Sequence, residues 1–398
     1  MTPVSAWALS LSGLGGLLGA TELIARRWLR ADRGYYVFPP HAKLEFDIDR
    51  DTLPQLQPIV RTRFNRDGER GDEAPRGGRL FRVLVIGGSS AQCMLVDQGS
   101  TWPSLLQKHL NAPATLEALG VERAHVGNIG KASMHSASLV MIMERVLPRY
   151  EQLDALVMMF GSGEVVRWMS TDTPADGVIP LSEDECFVRR PGQQFGLEPR
   201  SWALVELLRR LRTRVLVDRR ERVGRWIGRA RERRAEALEM RTEVTDPAPM
   251  LANYERNVTR MLELARAHAR HVLVVRQPWF EKPAYTDADR AMFWNFGVGE
   301  LTDGSGTVYY SDAVCDRVLD QVDEATARVS RAAGVAEMEL MSVVTPSPEH
   351  YYDRNHYTAA ACRLIGVEVA RVLIGMASQP SPVRPRPPRI TPTASASA

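Results

Sequence analysis

Cleaving an ester with a serine needs an exposed hydroxyl, an imidazole to take its proton, a carboxylate to orient the imidazole, and donors for the developing oxyanion. The chain offers a candidate for each. Ser89 follows Gly87 and Gly88 at the end of the apolar run RLFRVLVIGGSS, where small residues let a loop turn tightly and leave a hydroxyl at the edge of a sheet. Gly-Gly-Ser-Ser by itself is equally compatible with a plain surface loop. Near the other end, HYYDRNHYTAAACRLIGVEVARVL sets Asp353 and His356 three residues apart, just before an apolar helix starting near Thr358. A D-x-x-H turn lets the carboxylate reach the imidazole Nδ1 within one loop and leaves Nε2 free to face a serine. The plainer alternative is a capping aspartate beside a surface histidine. His350 competes as the base but has no aspartate three residues before it.

Other chemistries lack their signatures. No G-x-G-x-x-G follows a strand-like run, and neither a Walker loop nor a G-x-S-x-G elbow occurs, which argues against nucleotide-dependent enzymes and against the α/β-hydrolase elbow. His268 and His271 have no third ligand in view, and Cys93, Cys186, Cys315 and Cys362 are scattered without C-x-x-C spacing. Neither a metal nor a cofactor is expected. The formal charge of +3 is a near-balance of 51 basic and 48 acidic residues, too small to point to a nucleic-acid partner.

These residues need a frame. Five apolar, β-branched runs read as buried strands: RVLVIG, AHVGNIG at 124–130, ALVMMFG at 155–161, HVLVVRQP at 271–278 and VAEMELM at 335–341. Stretches of helical period lie between them, among them TWPSLLQKHL, SLVMIMERVLPRY, YERNVTRMLELARAHAR and VCDRVLDQVDEATARVSRAA. Strand alternating with helix predicts a parallel sheet covered on both faces, with any ligand beyond the carboxyl ends of the strands. The catalytic unit is expected over residues 80–376, interrupted at about 198–245 by an arginine-rich helical insertion. That insertion has two readings, a solvated charged face or contact with anionic lipid headgroups. Residues 34–79, with five prolines and mixed charges, read as a linker and lead-in, and residues 377–398, rich in Pro, Ser and Ala, as a disordered tail.

Residues 1–33 form a separate element. No charged side chain occurs from Met1 to Thr21, a stretch close to the ~20 residues a helix needs to cross a bilayer. It reads as an uncleaved single-pass anchor, since Arg26, Arg27, Arg30 and Arg33 follow the apolar run rather than precede it. The side of the membrane occupied by the rest of the chain stays open.

In order and spacing these blocks resemble the SGNH (GDSL-type) serine hydrolases: Gly87-Gly88-Ser89 after the first strand, Asn128-Ile129-Gly130 after the second, Gly161-Ser162-Gly163-Glu164 after the third, and Asp353-x-x-His356 before the last helix. RFNRDGERG at 63–71 is similar to the Arg-x-Asn-x-x-Gly-x-Arg-Gly stretch of a membrane-anchored branch of that family. The resemblance spans about residues 60–375. It implies a three-layer α/β/α unit with a flavodoxin-like parallel sheet of about five strands, Ser89 as nucleophile, His356 as base and then acid, and Asp353 as its orienter. Two positions depart from the pattern: Gly163 stands where the family has its oxyanion asparagine, and Ser133 where it has a glycine. The implied oxyanion and substrate contacts therefore fall to Ser89, Ser133, Gly163, Ser162 and Gln277, and Glu164 is expected to brace a loop. The activity implied is hydrolysis of an ester, an O-acetyl group on a glycan or lipid near the membrane being the substrate suggested. Two alternatives are an O-acyltransferase using the same triad and a degenerate SGNH-like binding protein.

Overall fold

The computed structural model describes residues 3–30, 34–191, 195, 198, 201–215, 219–299 and 307–378. Its strands are β1 (Lys43–Ile48), β2 (Ile59–Arg63), β3 (Leu80–Gly87), β4 (Arg123–Asn128), β5 (Leu153–Phe160), β6 (Arg219–Val223), β7 (Glu239–Arg241), β8 (Ala269–Arg276), β9 (Val308–Tyr310) and β10 (Ala336–Met338). Its helices are α1 (Pro3–Arg30), α2 (Ser89–Gln92), α3 (Trp102–Leu110), α4 (Pro113–Leu119), α5 (Ser136–Val146), α6 (Ser162–Ser170), α7 (Glu183–Cys186), α8 (Ala203–Val215), α9 (Arg225–Ala235), α10 (Ala248–His268), α11 (Asp287–Arg290), α12 (Asp312–Ala332) and α13 (Ala359–Ala377).

The five apolar runs pair as one parallel sheet in the order β10-β8-β5-β3-β4. Renumbered within the sheet this is 2-1-3-4-5, the flavodoxin-like order. Side chains alternate between the two faces, as the two-residue period of a strand requires. Leu84, Ile86, Leu156, Met158 and Val274 pack with α5, α6, α10 and α12. Val83, Val85, Val157, Met159 and Val275 pack with α3 and α13. Both faces are dry, so these strands read as continuous apolar runs rather than alternating ones. The chain leaves β3 for β4 on one side and returns to β5 on the other, so the switch point lies between β3 and β5. Gly87 closes β3 there: a Cβ on it would lie 1.9 Å from the Met159 carbonyl oxygen of β5, which no side chain tolerates.

The lead-in is more than a linker. β1 and β2 pair antiparallel, and β6 from the insertion adds parallel to β1; Phe46, Ile48, Leu53, Leu56 and Val60 bury with Val223 and Ile227 of the insertion. Proline and charge in 34–79 had masked this short apolar alternation. The RFNRDGERG stretch folds on itself, with Asn65 Oδ1 accepting from the Asp67 and Glu69 amides. Glu69 is fully buried and receives the His125 ring, Arg82 and the Tyr150 hydroxyl. Burial alone would raise its carboxyl, but the bond from His125 and the charge of Arg82 outweigh this and bring it to about 2.

The insertion is not merely a solvated charged face. Arg231 of α9 donates to the carbonyls of Met292, Thr52 and Tyr352, and Arg234 to those of Asn295 and Tyr310 and to Asp312. Exposed arginines such as Arg225 and Arg229 lie on the outward side of the same helix.

Helix α1 forms over Pro3–Arg30. Among the described residues no helix is long and apolar enough to cross a membrane; glycine, serine and threonine dilute the apolar stretch, and Glu22 and Arg26 pair within the helix. The Glu22 carboxylate accepts from the Ala203 and Leu204 amides and so caps α8, while Ala25 and Leu29 pack on Ala203. Leu17, Leu23, Ile24 and Trp28 stay exposed. Helix α13 ends at Ala377, and the tail from 379 on lies outside the described residues.

Candidate active site

At the switch point the two ends of the chain meet. The Ser89 hydroxyl lies 2.7 Å from His356 Nε2, and His356 Nδ1 lies 2.7 Å from Asp353 Oδ2. With a carboxylate at Nδ1, that nitrogen carries the proton and Nε2 accepts from the Ser89 hydroxyl. Ser89 is half-buried and open to a substrate, whereas Asp353 is wholly enclosed.

Each group is fixed by its own element. Ser89 opens α2, a single turn whose end and following loop are held by Arg70: the buried guanidinium donates to Gln92 O at 2.5 Å, to Cys93 O at 2.7 Å and to Val96 O at 2.7 Å. The D-x-x-H turn is closed by Asp353 itself, whose Oδ1 accepts from the Asn355 and His356 amides at 3.0 and 2.9 Å. Thr358 then caps α13, accepting from the Ala360 and Ala361 amides. Arg354, between the two catalytic candidates, is buried with no exposure and forms ion pairs with Asp312 and Asp316 at the start of α12.

Burial pushes the Asp353 carboxyl up. The charge and hydrogen bond of His356, the Asn355 amide and the Trp294 indole more than offset this, so it sits below the ordinary aspartate value and is held as the anion. The Trp294 contact, 2.7 Å from Nε1 to Asp353 Oδ2, has no signal in the sequence. Near-parallel rings of Trp294 and Tyr352 lie 6.3 and 5.5 Å from the His356 ring.

A buried polar network backs the serine. Gln277 Nε2 donates to the Ser90 and Ser162 hydroxyls, 2.7 Å each, and its Oε1 accepts from the Ser162 amide, which fixes the orientation of the side-chain amide. Both donors of Gln277 are thus engaged, leaving none for an oxyanion. Ser162 accepts also from Asn355 Nδ2 at 3.2 Å, and Asn295 Nδ2 donates to Asn355 Oδ1. With both acceptor sites of Ser162 filled, its own proton is free to donate to a ligand. Asn355 and Asn295 join the network unannounced; only the polar run D-R-N-H pointed toward the first.

Gly163 has a physical reason to be glycine. A Cβ there would lie 2.3 Å from the Met134 carbonyl oxygen, so no asparagine fits without moving that loop. Ser133 keeps the left-handed backbone, φ 63°, that a glycine adopts freely. Glu164 braces this loop by accepting from the Ser136 amide at 2.7 Å. His350 turns its Nδ1 to Thr345, and the Ser89 hydroxyl meets His356 instead. His135 is buried, its ring lowered to about 4 by burial and by Arg167.

No family model matches the chain, and no curated protein does. Among solved structures it is similar to LAE5, an α/β hydrolase enzyme from the metagenome of Lake Arreo, Spain (15% identity, 74% of this chain and 95% of that one, TM-score 0.38). It is also similar to a carbohydrate acetylesterase family member from Sinorhizobium meliloti (15%, 74% and 99%, TM-score 0.36) and to the acetylxylan esterase Axe2 from Geobacillus stearothermophilus (12%, 74% and 94%, TM-score 0.38). The 2-1-3-4-5 parallel sheet, with a Ser-His-Asp constellation at its switch point, has the architecture that the resemblance to SGNH hydrolases implies.

Proposed function

We propose that the protein is a serine esterase. The observation that carries this is the unbroken chain of contacts from the Ser89 hydroxyl through His356 to the buried Asp353 carboxyl group. Ser89 Oγ attacks the ester carbonyl while His356 Nε2 takes its proton. The tetrahedral oxyanion collapses, the carbon–oxygen bond to the alcohol breaks, and His356 returns the proton to the leaving oxygen. Water, deprotonated by the same imidazole, then releases the acid and restores Ser89. The backbone amides of Ser89, Ser133 and Gly163 and the free proton of the Ser162 hydroxyl are the oxyanion donors of this reading; losing one such donor typically costs on the order of 10²–10³ in kcat. The substrate proposed is an O-acetylated glycan or lipid at a membrane, to which α1 tethers the protein through its uncharged first 21 residues. A sugar hydroxyl replacing water would make the same site an acyltransferase.

A fluorophosphonate should label Ser89 in the wild type and leave Ser89→Ala unmodified, and p-nitrophenyl acetate should be turned over without an added acceptor. The glycine at 163 favours one rival, a binding protein that retains the triad but catalyses nothing. Its outcome would be no labelling and no turnover from a folded chain.

A further inference from the structure

Asp353 is enclosed completely, and four donors reach it. Two backbone amides fix Oδ1. Oδ2 is shared between the His356 ring and the Trp294 indole, both at 2.7 Å. A neutral indole is well suited to this place: it stabilises the carboxylate anion without adding a positive charge that would compete with the imidazolium formed during the reaction. It also stops Oδ2 from swinging away from Nδ1.

Trp294 lies in the loop after α11, and α9 holds that loop from outside. The Trp226 ring meets the Trp294 ring edge-on at 5.0 Å, interplanar angle 87°. Further along α9, the Arg231 guanidinium spans three segments of the chain: its Nε donates to Met292 O at 3.1 Å, two residues before Trp294, its Nη2 to Tyr352 O at 2.7 Å, one residue before Asp353, and its Nη1 to Thr52 O at 2.5 Å. One arginine therefore ties the backbone beside the indole to the backbone beside the carboxylate. Arg234 fixes the next residue of the loop through Asn295 O at 3.0 Å.

We propose that Trp294 is a positioning residue of the triad, holding the Asp353 carboxylate toward His356 through its indole N–H, and that helix α9 of the arginine-rich insertion keeps Trp294 in place. The proposal rests on the esterase reading and gives the insertion a task inside the active site. It acts through Asp353 and touches no substrate.

The rate of fluorophosphonate inactivation of the full chain measures this without a known substrate. Trp294→Phe keeps an aromatic ring and deletes the donor; the maximal inactivation rate should fall about tenfold, the loss expected of a hydrogen bond to a charged group, with the half-saturating probe concentration unchanged. Added to Asp353→Asn, the same substitution should cost nothing more, since its effect runs through the carboxylate. Wild-type rates in Trp294→Phe, or a loss that is fully additive with Asp353→Asn, would overturn the proposal. If Trp294→Phe does not fold, Trp226→Ala takes its place, with a smaller loss of the same sign expected and no loss counting against it. A wild type that does not label at Ser89 sinks the esterase reading instead. The far-downfield proton resonance of the Asp353–His356 bond then still decides: it moves in Trp294→Phe if the indole holds the carboxylate and stays in place if it does not.

Discussion

At the scale of single residues, one turn holds the Asp353 carboxylate against the His356 imidazole, and an indole from a separate loop donates to the same carboxylate oxygen. Asp353 and His356 sit in one turn because the carboxylate must reach Nδ1, so their three-residue separation survives in the sequence. Trp294 and Asn295 approach from a loop whose distance along the chain carries no such constraint, and Gln277, readable as a candidate at the end of its strand, is turned by the fold to Ser90 and Ser162. Gly163 illustrates a third case: its identity is dictated by a carbonyl at Met134 that only the folded loop brings near. Its neighbour Glu164 makes a testable difference to stability. Burial raises its carboxyl to about 7, against the backbone bond from Ser136 that lowers it. A raised value means that the folded state binds this proton more tightly than the unfolded one. The stabilisation is complete below the unfolded value of 4.5 and is lost as pH rises toward 7, a decline on the order of 3 kcal/mol. Glu164→Gln should flatten that slope in urea denaturation followed between pH 4 and pH 8, while an unchanged slope would place the titration elsewhere.

At the scale of elements, the five core strands and the helices between them were readable because both faces of the sheet are dry, which leaves uninterrupted apolar runs. The small sheet of β1, β2 and β6 was not, because it joins the lead-in to a segment more than 150 residues later, across a parallel pairing that no local pattern announces. The lead-in also explains why RFNRDGERG is worth its buried charges. Glu69 anchors the turn to β3 and β4 through Arg82 and His125, and Arg70, next in sequence, clasps the end of α2. Replacing Arg70 by Met, similar in reach but without donors, strands three buried carbonyls. Stability should fall by on the order of 3 kcal/mol, and labelling of Ser89 should slow as α2 loosens. Urea denaturation and probe kinetics check the two halves separately; a stable Arg70→Met chain with normal labelling would show that α2 needs no such support.

At the scale of the whole molecule, α1 and α8 pack together, joined through Glu22. The exposed Leu17, Leu23, Ile24 and Trp28 on α1, with Leu208 and Leu211 on α8, give that pair an apolar exterior flanked by Arg27, Arg209 and Arg212. The tether proposed for α1 predicts that the full chain sediments with membranes and stays there through salt and alkaline washes, and that removing residues 1–33 releases it. Recovery of the full chain in the supernatant would end that proposal. Ser89 and His356 lie 267 residues apart along the chain. A ribosome making this protein has already extruded the nucleophile, its strand and most of the sheet before the imidazole exists. Nascent and truncated chains therefore carry a serine no more reactive than any other, and the ester cleavage proposed for this site can begin only once helix α13 docks.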